Sequence, residues 1–546
     1  MRVALAQINP FVGDFAGNAA KICNFVEEAR RRHCDLVVFP ELALLGYPPR
    51  DLLDEECFFR ASRRYWKTLR EAGKDIGIVC GVVSENESGF GKPYHNSALF
   101  CYGGERIACA HKMLLPSYDV FDEERYFEPA QNATWVDFKG ERLGITICED
   151  IWNLAGYLPQ GLYRCDPVCE LRKASVDLVI NISASPYHVG KTASVTQLLR
   201  THALGGKVQV LYVNQVGGND ELIFQGHSMA VDAAGNITAR GADFREDLVV
   251  VDTSTLEGDI HGSELDQTSE VLEALILGLR DYSRKCGFEK VVLGLSGGVD
   301  SALTACVAVL ALGADRVMGV AMPGPFNAPE SLEDARELAQ RLGISFAVVP
   351  IGDLFAKACE VLAPVFGDLP ADVTEENLQA RLRGVVLMSL SNKFNRLLLS
   401  TGNKSEVAVG YCTLYGDMNG GLAVLGDVPK TLVYELAWKL TRERGWIPER
   451  TLVRAPSAEL RPNQKDQDTL PPYEVLDAIL AAYVEKRLPA AQIVAGGWDE
   501  EVVRWVIRRV DRNEYKRWQA PPILRVTSKA FGMGRRFPIA QGFREV

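Results

Sequence analysis

The run K-V-V-L-G-L-S-G-G-V-D-S at residues 290–301 passes from an apolar strand, through a glycine turn, into a helical stretch that begins near Ser301. Gly297 and Gly298 carry no side chain, so the backbone amides of the turn can approach phosphate oxygens closely, and the helix that follows turns its positive end toward them. The loop lacks the Lys-Ser/Thr ending of G-x-x-x-x-G-K-[ST], so transfer of a γ-phosphate is not indicated, and it does not fit G-x-G-x-x-G either. The helix-patterned V-L-E-A-L-I-L-G-L-R-D-Y (271–282) precedes it. R-V-M-G-V-A-M (316–322), a helix over 329–342 and I-S-F-A-V-V-P-I (344–351) follow. Strand and helix alternating in this way give a doubly wound, Rossmann-like parallel sheet, in which ligands bind beyond the carboxyl ends of the strands.

Toward the N-terminus the texture changes to short apolar runs spaced by helical stretches: R-V-A-L-A-Q-I, D-L-V-V-F-P at 35–40, I-G-I-V-C-G-V-V from Ile76, R-L-G-I-T-I-C from Arg142, V-D-L-V-I-N-I from Val176, V-Q-V-L-Y-V-N from Val208 and D-L-V-V-V-D ending at Asp252. Such runs are buried strands. From 253 to about 269 the pattern lapses into a polar stretch with Gly258 and Gly262, which reads as a linker. A chain of 546 residues, 47% hydrophobic, exceeds what one core can organise, so two unlike α/β domains are expected, 1–262 and 263–546.

Composition removes several classes of function. The net charge of -11, with no Lys/Arg-rich stripe, argues against a nucleic-acid partner. No window reaches the 18 apolar residues a membrane span needs, and Met1 leads straight into R-V-A-L-A-Q-I-N-P, which lacks the core of an export signal. Thirteen cysteines without a C-x-x-C pair suit a reducing compartment, so the expected location is the cytoplasm. Cys165 and Cys169 flank D-P-V, but no second pair completes a zinc set.

Three residues fall at or just past strand ends: Glu41 in F-P-E-L, Lys112 in H-K-M-L-L-P and Cys148 in I-T-I-C-E-D. Singly, each has an ordinary explanation as a buried thiol or a surface ion pair. Jointly they supply a nucleophile, a base to make the thiolate and a cation for a tetrahedral oxyanion, which is what attack on a carboxamide needs. His111 adjoins Lys112 without an identifiable orienting Asn or Asp, so a Cys-His pairing is the weaker alternative.

These motifs resemble the nitrilase superfamily over roughly residues 1–255. The resemblance implies a four-layer αββα sandwich in which Glu41 is the base, Lys112 stabilises the oxyanion and Cys148 attacks. It extends to V-F-D-E-E-R-Y-F at 120–127, where an assisting glutamate falls on Glu123, with Glu124 its neighbour. In the amidotransferase branch, the positions matching Tyr118, Ser185 and Lys191 contact glutamine; the last two lie in S-A-S-P-Y-H-V-G-K. Polar and charged side chains there suit the ammonium and carboxylate of a free amino acid.

The 294–301 loop in turn resembles the ATP pyrophosphatase type, which cuts ATP between its α and β phosphates and makes an acyl-adenylate. L-S-T-G-N-K-S-E (399–406), G-D-M-N-G-G (416–421), G-D-V-P-K-T (426–431), A-P-S-A-E-L-R-P-N-Q-K-D-Q-D (455–468) and L-P-P-Y from Leu470 extend the similarity to the whole chain, toward the glutamine-dependent NAD synthetase family. That resemblance implies ATP contacts from Gly294, Leu295, Ser296, Gly297, Gly298, Val299, Asp300, Ser301 and Thr401. It implies deamido-NAD contacts from Asn377, Glu406 and Lys516, and magnesium held by Asp300 and Glu406. The implied substrates are glutamine, ATP and deamido-NAD, with an enclosed route for ammonia and a homo-oligomeric assembly. The rivals are the same two halves acting on another carboxylate, and a nucleotide-binding protein without activity. One departure is the turn G-P-F-N-A-P-E-S (324–331), stiffened by Pro325 and Pro329, for which the resemblance assigns no nucleotide contacts and leaves them open.

Overall fold

The computed structural model describes residues 1–158, 161–262, 265–543 and 545. It divides into two compact units, Met1–Leu265 and Asp266–Val546.

The first unit is built on two six-stranded sheets. One runs in the order Asp247–Asp252, Arg2–Gln7, Leu36–Val38, Gly77–Glu85, Tyr94–Tyr102, Glu105–His111; the other runs Ile237–Arg240, Met229–Val231, Gln209–Asn214, Leu178–Ser183, Glu141–Ile147, Thr134–Phe138. The apolar runs form the parallel centres of both sheets, because strands covered on both faces need continuous Val, Ile and Leu. Leu5, Val38, Val79 and Phe100 of one sheet share a core with Ile147, Ile180 and Val213 of the other. The helix Phe15–Arg31 closes the outer face of the first sheet through Ile22, Val26 and Ala29. Pro167–Lys173 and Lys191–Gly206 close the second through Leu171, Leu198 and Leu199. Helix, sheet, sheet and helix therefore stack in the αββα order.

Several strands have no apolar run to announce them. Tyr94–Tyr102 and Glu105–His111 pair antiparallel with their neighbours while carrying His95, Asn96, Ser97 and Arg106. The polar stretch after residue 253 is partly structured. Gly258 bridges Val251, Ile260 bridges Arg240, and Asp266 caps the helix Gln267–Lys285.

The second unit carries a five-stranded, all-parallel sheet in the order Ser345–Val348, Val317–Ala321, Val291–Gly294, Leu397–Ser400, Leu422–Ala423. Chain connections run outward from Val291–Gly294 in both directions, so the order reverses beside it and a crevice opens at its carboxyl end. The helix Val373–Phe394 covers the sheet through Val386, Leu387 and Leu390. A separate core gathers Leu476, Ile479, Val503, Val506 and Val510 from the later helices. Among the described residues no helix is long and apolar enough to cross a membrane.

Candidate functional site

In the first unit the strand ends deliver three charged side chains into one buried place. Glu41 and Lys112 are fully buried and Glu123 nearly so. Lys112 Nζ donates to Glu41 Oε1 at 2.8 Å and to both oxygens of Glu123 at 2.8 Å. Glu41 has two further partners: Asn96 Nδ2 donates to Oε1 at 2.6 Å and the Ala184 amide donates to Oε2 at 2.8 Å, while Asn96 reaches on to Glu123 Oε2 at 3.4 Å. Tyr47 donates its hydroxyl to Glu123 Oε1 at 2.9 Å. Burial works against the Lys112 ammonium, but Glu123 and Glu41 outweigh it and keep the proton on. Burial pushes the Glu123 carboxyl up to about 7, with Lys112 pulling against it and Glu41 adding to it.

Cys148 opens a short turn, Cys148–Ile151, directly after the strand Glu141–Ile147, and takes φ +45, a conformation uncommon for a side-chain-bearing residue. The turn is pinned from beneath by Asp150, which accepts the amides of Ile147 at 2.9 Å, Met113 at 3.0 Å and Leu114 at 2.9 Å. One carboxylate thus ties the turn of Cys148 to the segment that follows Lys112. The buried sulfur feels Glu41, Lys112 and Glu123 directly; burial first, and then the two carboxylates, push the thiol well up, with Lys112 opposing.

Around this core lies a second polar shell. Tyr118 and Tyr163 both donate to Glu149 Oε1, at 2.8 and 3.0 Å. Lys191 stands over the Trp152 ring at 4.1 Å and acts electrostatically on Glu149. Ser185 is buried, its amide donating to Asn214 Oδ1 at 2.9 Å. Tyr118 and Lys191 therefore converge on Glu149, the residue after the thiol, while Ser185 follows the amide that holds Glu41.

In the second unit, every residue of the 294–301 loop lines one cavity of about 650 Å³, together with Thr401, Asn377, Glu406 and Lys516. Gly297 takes φ +81, and a Cβ there would stand 2.4 Å from the carbonyl oxygen of Ser331, so only glycine fits. Gly298 caps the helix Val299–Leu312, which lifts Asp300 into the cavity wall. Asn403 Nδ2 donates to Asp300 Oδ1 at 2.9 Å, and Lys430 Nζ donates to Asp300 Oδ2 at 2.5 Å and to Glu406 Oε1 at 3.2 Å. Burial pushes Glu406 up to about 7 against the pull of Lys430, while Asp300 and Glu406 overcome burial to keep Lys430 charged. Two carboxylates facing one cation are hard oxygen donors of the kind Mg²⁺ takes alongside phosphate, so Asp300 and Glu406 fit that ion, with the Lys430 ammonium marking where positive charge is needed.

Asn377 accepts the Thr413 hydroxyl at 2.7 Å, and Lys516 donates to the carbonyls of Gly410 and Cys412 at 2.7 Å each, so both meet the 410–413 segment. The stiff 324–331 turn joins the wall as well: Asn327 and Ser331 line the cavity and both donate to Glu459, at 2.7 Å each.

Asn96, Tyr47, Asp150, Asn403 and Lys430 are not singled out by the sequence. A signal existed for three of them, since Asp150 sits in C-E-D, Asn403 in T-G-N-K-S-E and Lys430 in G-D-V-P-K-T. Asn96, in a polar strand, gave none.

Comparison with known proteins matches residues 2–257 to the carbon-nitrogen hydrolase family and 271–520 to the NAD synthase family. The glutamine-dependent NAD(+) synthetase of Synechocystis sp. is 47% identical over 550 residues, covering 99% of each chain. That of Acinetobacter baylyi is 44% identical over 549 residues, covering 100% of this chain and 99% of its own. Among solved structures, the glutamine-dependent NAD+ synthetase from Acinetobacter baumannii in complex with ADP superposes with a TM-score of 0.78 at 43% identity, covering 100% of this chain and 99% of its own. A Cytophaga hutchinsonii glutamine-dependent NAD(+) synthetase, 22% identical and covering 99% of this chain and 98% of its own, shares the fold with a TM-score of 0.85. With relatives of this identity aligned from end to end and each half matched to its own family, the chain belongs to the glutamine-dependent NAD(+) synthetase family.

Proposed function

We propose that this chain is a ligase that amidates deamido-NAD to NAD at the expense of ATP, with nitrogen taken from glutamine. The observation that carries the reading is the pairing, in one chain, of a buried Glu41–Lys112–Cys148 centre with a nucleotide-sized cavity floored by Asp300, Lys430 and Glu406. The ADP-bound relative supports an adenine nucleotide as ligand of that cavity.

At the first centre Glu41 takes the Cys148 proton as sulfur bonds to the amide carbon of glutamine, and the Lys112 ammonium steadies the oxyanion. Glu41 returns that proton to the leaving nitrogen, so ammonia departs and a glutamyl thioester remains. Water, deprotonated by Glu41, then releases glutamate and restores the thiol. Glu123 keeps Lys112 charged and aimed throughout. Tyr118, Ser185 and Lys191 bind the amino-acid end of glutamine, next to Glu149.

At the second centre the loop amides of residues 294–301, Thr401 and Lys430 bind the triphosphate, while Asn377, Glu406 and Lys516 hold the dinucleotide acid. Asp300 and Glu406 would hold a magnesium ion, which would supply neutralisation of the departing pyrophosphate. The acid's carboxylate oxygen bonds to the α-phosphorus as pyrophosphate leaves, and ammonia then displaces AMP from the acyl-adenylate. Water competes for that intermediate, so the cavity must close over it. Ammonia free in neutral water would be trapped as ammonium, which favours an enclosed route between the two reactions.

The helix Gly352–Phe366 buries none of its residues and leaves Val361 63% and Val365 80% exposed, which supports a homo-oligomer. ATP as co-substrate, and thirteen cysteines that are all free, support a cytoplasmic location. The reading is tested by mass analysis of the products from deamido-NAD, ATP and amide-¹⁵N-glutamine. Label in the nicotinamide of NAD, with AMP formed in equal amount, is the expected result; label left in free ammonium with no NAD would overturn it.

A further inference from the structure

The adenylating cavity takes Glu406 from a helix too short to hold itself in place, capped by Asn403. Lys404–Val409 spans six residues, under two turns, and helices of that length are unstable without outside contacts. Its last turn is braced by Arg517, which donates to the Ala408 carbonyl at 2.7 Å, and by Asn513, which donates to the Val409 carbonyl at 3.0 Å. Its first turn is held by a buried lysine that does not line the cavity.

Lys404 is 1% exposed. Its Nζ meets Asp427 Oδ1 at 3.1 Å, Glu485 Oε1 at 3.0 Å, the Thr527 hydroxyl at 2.6 Å and the Lys529 carbonyl at 3.0 Å. Asp427, fully buried, accepts in addition the amides of Val526 at 2.9 Å and Thr527 at 2.7 Å. One ammonium thus neutralises two carboxylates and binds the 526–529 segment to the residue next to Asn403. A buried ammonium with four oxygen partners is fixed in position, and removing it leaves Asp427 a buried carboxylate without its cation. Asn403 transmits that position to the site, because its side chain caps the helix at the Glu406 amide at 3.0 Å and also donates to Asp300.

We propose that Lys404 is a positioning residue of the adenylating site, latching the turn that bears Asn403 and Glu406 onto the C-terminal segment. The proposal rests on the reading of that cavity as the place where ATP is cut. It makes the far C-terminal segment part of the synthetase machinery, although Thr527 and Lys529 do not line the cavity.

The test compares full-length wild type with Lys404→Met, Lys404→Arg and Thr527→Val. Four quantities are followed: ammonium-dependent NAD formation, the Kd of ADP, glutamine hydrolysis and thermal unfolding. Lys404→Met is expected to raise KM for ATP and the Kd of ADP about tenfold or more with glutamine hydrolysis unchanged, since small displacements of positioning groups have effects of this order. Lys404→Arg should recover part of the loss, and Thr527→Val should shift the same constants in the same direction by less. A lowered Tm with KM and Kd unchanged overturns the proposal, because it leaves Lys404 only a structural role. Should Lys404→Met fail to fold, Thr527→Val decides by the same constants. A wild type that binds ADP but makes no NAD would defeat the functional reading, and the ADP affinities would still decide for or against Lys404.

Discussion

Lys112 is paired with two carboxylates, and the titration of one of them, Glu123, can be read in a pH profile. Glu123, pushed up to about 7, gains a proton as the medium falls below neutrality, and Lys112 then loses the charge of the carboxylate that holds it through both oxygens. Glutamine hydrolysis is therefore expected to decline on the acid side of about 7. Glu123→Gln should lower kcat about 100-fold, the order lost when one electrostatic support is removed from a reacting centre, and should abolish that acid limb. A limb of unchanged position in the variant would show that another group titrates. Stability moves the other way. A carboxyl whose folded pKa is raised from 4.5 to about 7 binds its proton more tightly when folded, so its stabilising contribution is complete below 4.5 and is lost as pH rises through 7. At this scale the sequence was legible where a rare residue stands in a recognisable setting, as at Glu41, Lys112 and Cys148, which the fold brings together, and at Asp300, which lines the cavity. It was silent on Asn96 and Tyr47, whose importance lies in which carboxylate their side chains reach across the fold.

Among the elements, those legible in the sequence are the ones whose burial needs nothing but apolar side chains. Val291–Gly294, Val317–Ala321 and Leu178–Ser183 announce themselves, whereas Tyr94–Tyr102 does not, because Asn96 and Ser97 place polar groups on a buried strand to serve the site and the hairpin beside it. Leu397–Ser400 is apolar but too short to stand out from the motif that follows it. The 324–331 turn is a different case: its prolines leave its contacts open in the sequence, and the fold sets Asn327 and Ser331 in the cavity wall, both donating to Glu459. The phosphate loop is the element whose geometry is most constrained. Gly297→Ala would force a side chain into φ +81 and place its Cβ 2.4 Å from a backbone oxygen of Ser331. The strain costs about 1–3 kcal/mol. Ammonium-dependent NAD formation should fall about 100-fold as the loop shifts, with glutamine hydrolysis retained. Retained synthesis at wild-type rate would mean that the loop amides do not touch the phosphates.

Across the whole chain, each compact unit closes its own core, and no cluster described above draws residues from both. A change confined to one centre should therefore leave the other folded. Cys148→Ala removes the nucleophile, so NAD formation from glutamine should drop at least about 10⁴-fold, the order seen when a covalent nucleophile is deleted, while synthesis from ammonium persists. Asp300→Asn weakens the hold on Lys430 and, on the proposed reading, on magnesium, so synthesis should fail with either nitrogen source while glutamate is still released. Mixing the two variants then tests the route taken by ammonia. The Asp300→Asn protein still liberates nitrogen and the Cys148→Ala protein still consumes it, so a freely diffusing intermediate would restore synthesis from glutamine in the mixture. An enclosed route predicts little restoration at enzyme concentrations where released ammonia stays dilute and protonated. Recovery to a wild-type-like rate would sink the enclosed route without touching the assignment of either centre.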